Sequence, residues 1–125
     1  MDQDLYEKGL KIRREVVGDA YVEQSLKNAD DFSRPMQELV TKYCWGDVWA
    51  RPGLDRRARS LINLSMIAAL NRPDELAAHI RGAINNGVTK EEIREVFLQV
   101  AIYCGMPAGL GSFKIARKTF EELGI

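Results

Sequence analysis

Two cysteines, one histidine and no surplus of charge in either direction leave this 125-residue chain few routes to chemistry. Cys44 and Cys104 stand far apart with no Cys-x-x-Cys anywhere, so neither a disulfide framework nor a zinc site is signalled. A single histidine, His79, excludes a multi-histidine metal site within one chain, and no metal is expected. Eighteen basic and eighteen acidic residues cancel, so no global field draws nucleic acid or an anionic membrane. The local cluster Arg56, Arg57 and Arg59 reads as a solvated face or a partner for acids. No apolar run approaches the ~20 residues of a bilayer span, and the start Met-Asp-Gln-Asp-Leu-Tyr-Glu is acidic where a signal peptide is basic and then apolar. The expected location is the cytoplasm, without a membrane partner. Strand-period alternation and internal repeats are absent too.

What is present is a chain 46% hydrophobic and 29% charged, which suits one globular domain over residues 1–125. Its periodicity predicts an all-α fold, six or seven helices in a compact orthogonal or antiparallel bundle. A first helix runs from Leu5 to Val17 and stops at Gly18. Asp19 opens a short second one through Leu26, and Asn28 to Ser33 forms a polar connection plugged by Phe32. Ser33 and Pro35 start a third helix that should turn Met36, Leu39, Val40 and Tyr43 inward. Trp45 and Trp49, the only tryptophans, fall four apart and share a helical face. Arg51-Pro52-Gly53 is a turn, and Asp55 an N-cap.

The helix expected over Arg56 to Leu70 is apolar on two sides, Leu61, Leu64 and Ala68 on one and Ile62, Met66 and Leu70 on the other. In so small a domain the second side points to a subunit interface and a homo-oligomer. Asn63 and Ser65 interrupt its apolar run, as hydrogen-bonding groups or as pocket lining. Asp74 to Gly87 is the helix where chemistry is expected, with Leu76, Ile80, Ala83 and Ile84 as its apolar face, His79 on one flank and Arg81 on the other. Glu75, one turn earlier, can orient or charge His79, and Asn86 lies on the same flank. Thr89-Lys-Glu-Glu92 is a capping box, opening a helix whose stripe Ile93, Phe97, Val100 and Cys104 makes Cys104 a packed small hydrophobe. Tyr103 is on its flank, facing a cleft. Gly105 and Pro107 end it, and a last helix spans Ala108 to Leu123.

The segments Trp45-Gly-Asp-Val-Trp-Ala-Arg-Pro-Gly-Leu-Asp55, Arg57-Ala-Arg-Ser-Leu-Ile62, His79-Ile-Arg-Gly-Ala-Ile-Asn-Asn-Gly87 and Tyr103-Cys-Gly-Met-Pro107 together resemble, in order and spacing, the carboxymuconolactone decarboxylase family. The resemblance implies an alkylhydroperoxidase-like all-α bundle assembled into rings, commonly hexamers. It also implies cofactor-free decarboxylation of a small carboxylated lactone in protocatechuate catabolism, the β-ketoadipate type of aromatic breakdown. Such a site must anchor carboxylates, stabilise an oxyanion and deliver a proton. Arg51, Arg59 and Arg81 are the candidate anchors, because a guanidinium fork pairs bidentately with carboxylate. His79 is the candidate proton donor, at an ordinary pKa near ~6.5. Trp45 and Trp49 are candidate walls that exclude water. A thiol-peroxidase branch of the family works through a Cys-x-x-Cys pair, but Ala101 and Pro107 stand where partners of Cys104 would be. A catalytically silent small-acid binder is the other alternative. After Pro107, the stretch Ala108-Gly-Leu-Gly-Ser112 offers only Ser112 where these decarboxylases often carry a polar residue or histidine, so the substrate extends to related lactones or β-keto-type acids.

Overall fold

One capping box, prolines in first turns and glycines with positive φ mark several of the element boundaries. The computed structural model describes Asp2 to Ile125, and it is all-α: α1 (Asp2–Val17), α2 (Asp19–Lys27), α3 (Arg34–Leu39), a π-helical segment (Val40–Val48), α4 (Arg56–Leu70), α5 (Pro73–Asn85), α6 (Lys90–Cys104) and α7 (Met106–Leu123). No strand occurs among the described residues. Thr89 accepts from the Glu92 amide at 3.1 Å while the Glu92 carboxylate accepts from the Thr89 amide at 2.9 Å, the reciprocal box that starts α6. Gly105, at φ 107°, separates α6 from α7, a conformation costly for any residue with a Cβ. Pro107 therefore lies in the first turn of α7, and that helix begins two residues before the expected Ala108.

The chain forms two compact units, one ending at Asp55 and the other running from Arg56 to Ile125. In the first, α1 lies against the π-helical segment at backbone distance. A Cβ on Gly9 would meet the Thr41 carbonyl oxygen at 1.9 Å, and one on Gly46 would meet that of Leu5 at 2.5 Å. Ile12, Val16, Val22, Trp45 and Trp49 are buried around this crossing. In the second unit α4, α5, α6 and α7 pack on one another, with Leu64, Leu76, Ile80, Ile93 and Phe97 almost wholly buried between them.

Several inward assignments fail in the first unit. Phe32 is 95% exposed and plugs nothing, and Met36, Leu39 and Tyr43 also face outward. For Tyr43 the reason lies in the π-helical segment; Phe32, Met36 and Leu39 precede it. Trp49 donates to the Cys44 carbonyl at 2.9 Å, an i→i+5 bond that widens the coil so that residues four apart nearly superpose. Thr41, Trp45 and Trp49 hold the inner face there, and Tyr43 lies on the surface.

Candidate active site

His79 is placed by its neighbours on α5. Leu76, Ile80 and Ala83 are buried and fix the rotation of the helix, which leaves His79 at the edge of that apolar face, partly buried against α4. Its Nδ1 lies 3.5 Å from the side-chain nitrogen of Asn63. Burial strips water from the imidazole and disfavours the cation; Glu75 opposes this more weakly, and the result is a pKa lowered from 6.5 to about 4. The ordinary value expected from sequence does not hold. At neutral pH the ring is uncharged, with one nitrogen that donates and one that accepts.

A polar seam continues along the same pair of helices. The Asn86 amide donates to Ser60 Oγ at 2.9 Å and to the Arg56 carbonyl at 3.4 Å, which ties the end of α5 to the start of α4. Arg59, partly buried, stands one turn before Asn63 and so shares its face of α4. The second unit thus brings His79, Asn63 and Arg59 to one side. Arg81 goes elsewhere: it is ion-paired with Glu122 of α7. Arg57 is likewise paired with Glu92.

Tyr103, 82% exposed, lines a groove of about 360 Å³ between α4 and α6 with Leu61, Ile62, Ser65, Val96 and Cys104. Cys104 is exposed there rather than packed, because α6 ends at that residue and the chain turns away at Gly105. Ser65 lines the groove while donating to the Ile62 carbonyl at 2.7 Å. Ser112 is buried and spends its hydroxyl on the Ala108 carbonyl at 2.8 Å.

In the first unit Trp45 and Trp49 are buried side by side, ring centroids 4.8 Å apart and planes tilted by 32°. Arg51 is exposed, with its guanidinium 4.0 Å from the Asp47 carboxylate. The same unit buries Arg13, which donates to Thr41 Oγ1 at 3.0 Å and whose pKa burial lowers. Sequence reasoning passed over Arg13 and left Asn63 either a hydrogen-bonding group or pocket lining. The signal available for Asn63 was an amide interrupting an apolar helical stripe. Among the described residues no three His, Cys, Asp or Glu side chains converge to hold a metal ion, and no helix is long and apolar enough to cross a membrane.

Residues 34–118 match the family model described as the carboxymuconolactone decarboxylase family. Over 124 residues, 99% of this chain and 92% of the relative, the sequence is 43% identical to a 4-carboxymuconolactone decarboxylase of Acinetobacter baylyi. Over 119 residues, 95% of this chain and 83% of the relative, it is 49% identical to a nitrosuccinic acid decarboxylase of Metarhizium robertsii.

Proposed function

This chain belongs to the carboxymuconolactone decarboxylase family and is a carboxy-lyase, and from that premise we propose that it removes CO₂ from 4-carboxymuconolactone or a closely related small lactone acid without a cofactor, as a step in protocatechuate breakdown. The observation that carries the reading is the 43% identity over nearly the whole chain to a relative named for that substrate. The second relative's name adds a chemical constraint. A carboxymuconolactone and nitrosuccinic acid are both small dicarboxylic acids in which the electron pair released with CO₂ passes onto the oxygen of a neighbouring acceptor, a lactone carbonyl or a nitro group.

For the lactone, the bond from the γ-carbon to the departing carboxylate breaks, CO₂ leaves, and the pair spreads through the α,β-unsaturated ring to the carbonyl oxygen. A proton then adds at the α-carbon. His79, uncharged at neutral pH, is suited to the first part: its N–H donates a hydrogen bond to the developing oxyanion, while water supplies the proton to the α-carbon and the hydroxide left behind is taken up by the released CO₂ as bicarbonate. Arg59 is the anchor on the His79 side of α4. Arg51 and Arg81 are further proposed anchors, and Trp45, Trp49 and Tyr103 proposed walls, each within the unit that carries it. Arg81 has to leave Glu122 to serve, which makes it the weakest of the three.

We also infer a homo-oligomer, the hexamer that the family resemblance implies, because Ile62, Met66 and Leu70 on the outer side of α4 are exposed in the single chain. The enzymatic reading is tested by supplying each acid to purified protein and following lactone absorbance and CO₂ release. Turnover of 4-carboxymuconolactone is the expected result. Loss of neither acid, with binding retained, would leave a silent small-acid binder; consumption of a hydroperoxide at the expense of a dithiol would instead restore thiol chemistry at Cys104.

A further inference from the structure

We propose that Asn63 is a positioning residue that holds His79 as the Nε2–H tautomer, so that the imidazole presents a donor on the ring edge opposite α4. This rests on the decarboxylase reading for its catalytic consequence but not for its structural content. The side-chain nitrogen of Asn63 carries two hydrogens and has no acceptor capacity, and the ring atom it faces is Nδ1, at 3.5 Å. A nitrogen that accepts keeps its lone pair, so in the uncharged ring the proton resides at Nε2.

Both partners are held in place. Leu64 and Ala68 bury the inner side of α4, and Leu76, Ile80 and Ala83 bury that of α5, so neither helix can rotate its polar member away without exposing core. Asn86 is bonded to Ser60 and the Arg56 carbonyl, and Glu75, one turn from His79 on α5, is the charged side chain that acts on the ring. The arrangement matches what a developing enolate oxygen needs, a fixed neutral donor. A ring free to exchange tautomers would present an acceptor to that oxygen for part of the time and repel it.

A carboxylate in place of Asn63 inverts the logic, since it can only accept and draws the proton to Nδ1. His79 is the only histidine, so protein labelled with ¹⁵N-histidine yields one imidazole and needs no assignment. At neutral pH the wild type should show a pyrrole-type Nε2 and a pyridine-type Nδ1. Asn63→Asp should exchange the two or charge the ring, and Asn63→Leu should give the averaged shifts of a mixture. With 4-carboxymuconolactone, Asn63→Asp should lose about 10²-fold or more in kcat with little change in KM, as expected when a ring keeps its place but offers the wrong nitrogen. A wild-type ring protonated at Nδ1, or an Asn63→Leu spectrum identical to wild type, overturns the proposal; the latter decides it even if the aspartate variant does not fold. The spectra require no substrate. An Nε2–H ring in a protein that decarboxylates neither acid would refute the function and leave the positioning intact.

Discussion

At the scale of single residues, His79 was legible because it had no competitor, and its surroundings were not legible because they come from another helix. Its helix flank and the neighbouring Glu75 follow from spacing alone, but the burial that sets its charge depends on how α4 lies against α5. The sign of the pH dependence follows. Folded, the imidazole has a pKa of about 4; unfolded, it returns to 6.5. As pH falls through that window the unfolded chain takes up a proton that the folded chain refuses, so stability present above pH 6.5 is lost down to about pH 4 and changes no further below. The loss attributable to this group is about 3 kcal/mol at most. Denaturant midpoints measured across the window should therefore fall more steeply for wild type than for His79→Gln, which cannot titrate. Activity should carry the same signature, an acid limb of kcat/KM near pH 4 in place of 6.5. His79→Ala should lower turnover by about 10²- to 10³-fold in a folded protein, the range for losing an oxyanion donor; an unchanged kcat would reduce His79 to packing. Cys104 shows the opposite failure of a single-residue reading. Its periodic match to Ile93, Phe97 and Val100 was real, yet the stripe runs off the end of α6 and the thiol is exposed. With no second cysteine in the spacing of a redox pair, Cys104→Ala should still turn over substrate at nearly the wild-type rate, measured with and without a thiol reagent.

At the scale of elements, the helices that a cap or a positive-φ glycine announces were found within a few residues. Gly18, Gly87 and Gly105 all have φ near 90–107°, and Thr89 makes the box that its spacing promised. The π-helical segment had no such announcement. Its i→i+5 bonding leaves no distinctive residue type in the sequence, and a 3.6-residue period applied across it sent Tyr43 to the wrong side. What the sequence did contain was a pair of glycines, Gly9 and Gly46, whose purpose only the crossing of α1 with this segment reveals. Because the atoms that a new Cβ on Gly9 would strike are all backbone, no side chain can swing aside there. Gly9→Ala should therefore destabilise by about 1–3 kcal/mol or more, although alanine is the better helix former by ~1 kcal/mol. The two buried tryptophans report on the same crossing, so their fluorescence should shift along with the unfolding midpoint. Gly111 in α7 is the control, since a Cβ there meets nothing within 4 Å. Gly111→Ala should leave the fluorescence unchanged and add about 0.5–1 kcal/mol. A Gly9→Ala protein as stable as wild type would mean that α1 does not hold the π-helix at backbone distance.

At the scale of the whole molecule, the outer side of α4 decides the last question. Ile62, Met66 and Leu70 are 43%, 49% and 66% exposed in the single chain, while Leu64 and Ala68 on the inner side are buried. A helix that is apolar on both sides but covered on one leaves its remaining area to water, and covering an aliphatic side chain fully is favourable by ~1.5–3 kcal/mol. Three such residues, repeated in each protomer of a closed ring, supply several kcal/mol per interface before the cost of association is subtracted. In the first unit Phe32, Met36, Leu39 and Tyr43 are exposed as well. Light scattering on the wild type should therefore give a particle several times the 14.1 kDa chain mass at micromolar concentration, about six times for the hexamer. Met66→Glu tests the α4 face directly. In the lone chain the new carboxylate would sit in water and cost the fold little, so helicity should persist while the particle mass drops; in the assembled protein it would be buried against a neighbour's apolar side chains without a partner. A wild type that scatters as a 14.1 kDa particle, or a Met66→Glu protein that keeps the wild-type mass, removes this face from the interface and with it the reason for the second apolar side of α4.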